Sequence, residues 1–98
     1  MLKEEGFLLM GAAFEVYNQL GYGMSEEIYQ QCLELELQER KIPFRSKPEL
    51  RMSYKSHELH AKYRPDLVVF ESIVVELKSV SGLISEHEAQ LFNYMRIT

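Results

Sequence analysis

The sequence predicts an α/β fold in the order α-α-β-β-β-α: two N-terminal helices, a three-stranded antiparallel meander, and a third helix against the sheet. Three observations carry this expectation. Leu9, Ala12, Ala13, Val16 and Leu20 recur at helical spacing and mark one buried stripe. From Phe44 onward the apolar period becomes two, as on a half-exposed strand. The runs Leu67–Val69 and Ile73–Leu77 are short and continuously apolar but for Glu76, as inner strands are. A chain of 98 residues, 46% hydrophobic and 27% charged, suffices for one core, so a single domain over 1–98 is expected.

The first helix should run from about Lys3 to Leu20 and stop at Gly21-Tyr-Gly23, where backbone freedom is available. Ser25 is placed to cap a second helix, with Glu26 and Glu27 in its favourable first turn. Ile28, Cys32 and Leu35, extended to Leu33 and Leu37, form its expected inner side; Arg40 and Lys41 suit its C-terminal end, and Pro43 stops it. In the strand from Phe44 to Lys55, Phe44, Leu50, Met52 and Tyr54 share one face; Arg45, Lys47, Glu49, Arg51, Ser53 and Lys55 share the other. Lys55-Ser-His-Glu58 turns the chain into a long strand that carries Asp66, with a bulge allowed at Pro65. His57 and His60 are an odd number apart and do not form a metal pair. After a loop at Ser79–Leu83, Ser85-x-x-Glu88 is a capping box that opens the third helix. Its core side is Ala89, Phe92 and Met95, with Gln90 and Tyr94 one turn apart.

The hairpin at Tyr63–Lys78 organises the rest. Pairing Val69 with Ile73 across Phe70-Glu71-Ser72 gathers Leu67, Val69, Ile73, Val75 and Leu77 on one apolar face. Asp66 then falls opposite Glu76, and Lys78 follows on the same side as Glu76. A two-residue loop would bury Asp66 among aliphatic side chains instead. Two carboxylates without imidazole or thiolate partners suit a hard ion such as Mg²⁺ or Mn²⁺. Such an ion activates water and polarises a phosphoryl oxygen, while a lysine orients the nucleophile or stabilises charge. The plainer alternative is a loop-closing Asp and a Glu–Lys pair on a wet sheet face; Pro65-Asp66 and the register weigh against it.

Net charge is −4, yet the span Arg40–Arg64 holds eight Lys and Arg against two Glu. Arg45, Lys47, Arg51, Lys62 and Arg64 of that band are candidates for phosphate contact. On charge alone a solvated sheet face is the better explanation of them. No apolar run is long enough to span a membrane and no signal peptide is visible; Cys32 stands alone, as in a reducing compartment. The cytoplasm is the expected location.

These residues carry a resemblance. Pro65-Asp66 followed by Glu76-x-Lys78 resembles the core motif of the PD-(D/E)xK nuclease superfamily. Gly23-Met-Ser-Glu26-Glu-Ile-Tyr29 is similar to the namesake motif of the small GxxExxY proteins, and His87-Glu-Ala-Gln90-Leu-Phe-Asn-Tyr94 to their C-terminal helix. Gln90 and Tyr94 also resemble the Q-x-x-x-Y helix of RecB-like nucleases. The likeness runs from the first helix to the last residue. It implies a restriction-endonuclease-like α/β/α sandwich and metal-dependent hydrolysis of phosphodiester bonds in DNA or RNA. Asp66 and Glu76 would hold Mg²⁺ or Mn²⁺ with the carbonyl of Leu77, and Glu26 would be an accessory acid, directly or through water. Lys78 would position the attacking water, and Gln90 and Tyr94 would border the site. The alternative is a nuclease-fold module without turnover that binds nucleic acid or a protein partner. Relatives continue into a further strand where this chain stops at Thr98, so the final strand is expected to be missing. That would leave the edge beside Ile73–Lys78 bare and open to a homodimer.

Overall fold

The computed structural model describes residues 2–77 and 92–96. It is a mixed α/β structure. Helices α1 (Leu2–Leu20) and α2 (Glu26–Glu39) cover one face of an antiparallel sheet. The sheet contains β1 (Phe44–Ser46), β4 (Leu67–Val69), β5 (Ile73–Leu77) and β6 (Phe92–Arg96), in the order β1-β4-β5-β6. A separate two-stranded ribbon joins β2 (Leu50–Tyr54) to β3 (His57–Tyr63).

The core lies between the helices and the central hairpin. Leu9, Ala12, Ala13 and Val16 of α1 meet Leu67, Val69, Ile73, Val75 and Leu77, as the apolar pattern requires. Val69 pairs with Ile73 and Leu67 with Val75, so the three-residue loop is present. Val68 and Val74, on the opposite face, are buried as well. Among the described residues no helix is long and apolar enough to cross a membrane.

On α2 the inner side agrees with expectation at Leu33 and Leu37 and differs from it at Ile28, Cys32 and Leu35. Tyr29, Gln30, Leu33 and Leu37 are buried, whereas Ile28 and Leu35 are 42% and 58% exposed and Cys32 is half-buried. Both sets have helical spacing, so periodicity alone does not choose between them. Tertiary bonds choose: the Tyr29 hydroxyl donates to the Gly21 carbonyl, and Gln30 reaches the sheet. Gly21 and Gly23 take left-handed angles of 74° and 88° to bring the chain from α1 to α2. The Ser25 hydroxyl accepts from the Ile28 N–H at 3.3 Å, as a cap should.

The helix ends in a Schellman motif, with the Ile42 N–H on the Leu37 carbonyl and the Lys41 N–H on that of Gln38. Lys41 holds the left-handed position at φ 59°. That conformation costs an L residue about 1–2 kcal/mol, of which glycine would return part, less the entropy of its freer unfolded chain. Lys41→Gly should therefore stabilise by about 0.5–1 kcal/mol, seen as a melting temperature higher by about 3–6 °C. An unchanged or lower value would show that the lysine is not strained there.

The first two strands of the expected meander are each broken in two. Phe44↔Val69 and Leu50↔Tyr63 belong to one continuous register, so β1–β4 and β2–β3 are two halves of a single long hairpin. At the break Pro48 and Pro65 occupy opposite positions of that register, and neither has an N–H to donate. Lys47, at φ 47°, donates its N–H to the Asp66 carbonyl at 2.9 Å just before the break. Pro65 brings no bulge; the irregularity falls further out, between Arg51 and Ser53.

Two expectations at the C-terminal end are corrected. Phe92–Arg96 is a strand, not the second half of a helix; the proposed helix start at Ser85 lies outside the described residues. β6 pairs antiparallel with β5 along its whole length, from Ile73↔Arg96 to Leu77↔Phe92. The β5 edge is therefore occupied, and the reason for a homodimer through it disappears. Burial explains the outcome: an inner strand whose residues are nearly all buried needs partners for its outer amides and carbonyls.

Candidate active site

Asp66 and Glu76 sit at the end of β4–β5, where the strands run toward the proline break. Continuing the register from Leu67↔Val75 puts them directly opposite, on the face away from the helices. Both are half-buried, beside the buried Val68 and Val74. The Leu77 N–H donates to Asp66 Oδ2 at 2.7 Å. Tyr63 donates its hydroxyl to Glu76 Oε2 at 2.5 Å. Each carboxylate thus has one oxygen held by the protein, and among the described residues its second oxygen has no hydrogen-bond partner.

Burial, then the hydrogen bond to Glu76 and the charges of Glu76 and Asp66, push the Tyr63 hydroxyl up to about 12. It stays protonated at neutral pH and remains a donor to the carboxylate.

A second set of bonds fixes the backbone of Asp66. Gln30, buried in α2, donates from Nε2 to the Asp66 carbonyl at 2.7 Å and to Glu34 Oε2 at 2.8 Å. Ser46 donates to the same Glu34 oxygen at 2.6 Å. The helix, β1 and the site strand are joined through this network. Neither Gln30 nor Tyr63 stands out in the sequence as a site residue. Gln30 does leave a signal, a polar residue in phase with Leu33 and Leu37; Tyr63 leaves none, because its approach to Glu76 depends on how the chain crosses the break at Arg64-Pro65.

Other expected site residues are placed as follows. Glu26 is exposed in the first turn of α2, one turn from Gln30. Among the described residues no three His, Cys, Asp or Glu side chains gather closely enough to hold a metal ion, so Glu26 does not join Asp66 and Glu76 in a cluster. Lys78 and Gln90 lie outside the described residues. The backbone of Tyr94 is in β6, opposite Val75.

The basic band is divided among the elements. Arg45 is on β1 and pairs with Glu71 at 2.9 Å. On the ribbon, Arg51 and Lys62 approach Glu58 at 3.6 and 3.8 Å. Arg64 pairs with Glu49, whose carboxyl it holds below its usual range. Lys47 stands beside the site at the proline break. Exposed pairs like these contribute little to stability.

A mixed α/β chain with two carboxylates meeting at a hairpin end has the build of a nuclease-type domain. The family model of the PD-(D/E)XK nuclease superfamily matches residues 3–98, and the chain belongs to that superfamily. No curated protein and no solved structure matches the chain significantly.

Proposed function

We propose that this protein is a metal-dependent nuclease that hydrolyses phosphodiester bonds of DNA or RNA. The observation that supports this best is Asp66 opposite Glu76, each with one oxygen held, in a member of a nuclease superfamily. The more specific likeness to GxxExxY and RecB-like proteins points the same way, and we further propose a single cytoplasmic domain, with which one thiol, Cys32, is compatible.

The donor chemistry fits a hard divalent ion. Two carboxylates and the Leu77 carbonyl are oxygen ligands, and Mg²⁺ or Mn²⁺ completes its shell with water. When bound, such an ion supplies charge at the phosphoryl oxygen and acidifies a coordinated water. Around it, Asp66 and Glu76 bind, and Gln30 and the Leu77 N–H keep Asp66 in place. Lys78 would orient the attacking water, Glu26 would assist through a bridging water, and Gln90 would border the substrate; Tyr94, in β6 and opposite Val75, has a register position on the other face and is not assigned to the site. Arg45, Lys47, Arg51, Lys62 and Arg64 would track the phosphates.

The test is calorimetric titration with Mg²⁺ and Mn²⁺, together with cleavage assays on single- and double-stranded DNA and RNA. Ion binding and Mn²⁺-dependent cleavage are expected. Salt-sensitive nucleic-acid binding with neither ion uptake nor cleavage would select the inactive binding module instead.

Because Arg45 and Arg51 have acidic partners, neutral replacements test the band more cleanly than charge reversal. Arg45→Gln, Lys47→Gln and Arg51→Gln together should weaken binding alike for all sequences. The salt slope should become shallower by about 0.9 for each duplex phosphate that the protein no longer neutralises. A triple variant with the parent's salt dependence would make the band a solvated face.

A further inference from the structure

We infer that Tyr63 is a positioning residue for Glu76: by donating to Oε2, its hydroxyl sets the carboxylate so that Oε1 is the oxygen left for a cation. The inference rests on the proposed reading of Asp66 and Glu76 as ligands, and adds a role for a residue outside that set.

Three observations support it. The Tyr63 hydroxyl meets Glu76 Oε2 at 2.5 Å, and both side chains are half-buried, which limits competition from water. Tyr63 is the last residue of β3, on the far side of the Arg64-Pro65 break from Asp66. Its bond therefore crosses from the ribbon to β5, linking the base of the arm to the site. The arrangement also parallels that of the other acid, since the Leu77 N–H holds Asp66 Oδ2 in the same way. Two facing carboxylates, each held at one oxygen by a neutral donor, lose rotational freedom without gaining a counter-charge. Donors in this outer position orient the ligand oxygens, and their loss typically lowers metal affinity or activity by about 10–100-fold.

Tyr63→Phe keeps the ring and deletes only the hydroxyl. Calorimetric titration of the intact protein with Mn²⁺ should show affinity weaker by about 10–100-fold, with near-ultraviolet dichroism unchanged. Glu76→Gln should lose more, and adding Tyr63→Phe to it should cause no further loss, because the hydroxyl acts only through that carboxylate. A purely structural tyrosine would weaken binding to the same degree in both backgrounds. Tyr63→Phe binding Mn²⁺ within about twofold of the parent, while Asp66→Asn does not bind, would overturn this inference and leave the site reading standing. A parent that binds neither Mn²⁺ nor Mg²⁺ would overturn both.

Discussion

Asp66→Asn is expected to lose Mn²⁺ binding and cleavage while its metal-free melting temperature equals or exceeds that of the parent. Asp66 has two separable tasks. Its Oδ2 accepts the half-buried Leu77 N–H, which an asparagine oxygen can also do. Its charge is what a cation would need, and without the cation that charge lies opposite Glu76, where like charges destabilise a strand pair. Asparagine keeps the first task and removes the second. The loss of affinity should exceed the 10–100-fold or so that an outer partner costs. Asp66→Ala should lose both tasks. Leaving the Leu77 N–H unsatisfied costs about 1–3 kcal/mol, or a melting temperature lower by about 4–20 °C. Thermal melts with and without Mn²⁺ check all of this at once. At about a hundred times the dissociation constant the ion should add about 2.7 kcal/mol to the parent and nothing to either variant. If Asp66→Asn is stabilised by Mn²⁺ as the parent is, the ion binds elsewhere.

The largest stability effect is expected on α2. Leu37 is fully buried and Leu35 is 58% exposed, although they are two residues apart on the same helix. Leu37→Ala removes a side chain from the core cluster that α2 shares with α1 and the sheet and leaves a cavity, at a cost of about 2–5 kcal/mol. Small domains have only about 5–15 kcal/mol in total, so this change takes a large share of it. Leu35→Ala should cost no more than about 0.5 kcal/mol, the range of surface substitutions. Urea denaturation of both variants measures the difference directly. Equal losses would mean that α2 presents Leu35 inward.

The central hairpin was legible because a one-residue slip would exchange its two faces, and only an odd-length loop, of which three residues is the short form, keeps Asp66 and Glu76 out of the apolar set. The loop Phe70-Glu71-Ser72, the pairing of Val69 with Ile73 and the opposition of the two acids all follow from that constraint. The stripe on α1 was read correctly at Leu9, Ala12, Ala13 and Val16, although Phe7, Met10, Phe14 and Tyr17 form a second set at helical spacing, of which Phe7 and Phe14 are exposed. On α2 there were also two such sets. The break in the long hairpin had a visible cause in Pro48 and Pro65, but their opposition appears only after the strands have been paired.

By itself the sequence determined one apolar hairpin face, the meeting of Asp66 with Glu76 and the Ser25 cap, since each depends on neighbours within a few residues or on a parity that a three-residue loop satisfies. Tertiary structure alone decided which side of α2 turns inward and that Gln30 and Tyr63 hold the site. It also decided that Phe92–Arg96 pairs with β5 rather than coiling into a helix. In each case the deciding groups are far apart in the chain, as with Gln30 and the Asp66 carbonyl. A short segment with compatible local preferences goes where it satisfies distant amides, carbonyls and apolar surface, and that destination is not encoded in its own spacing.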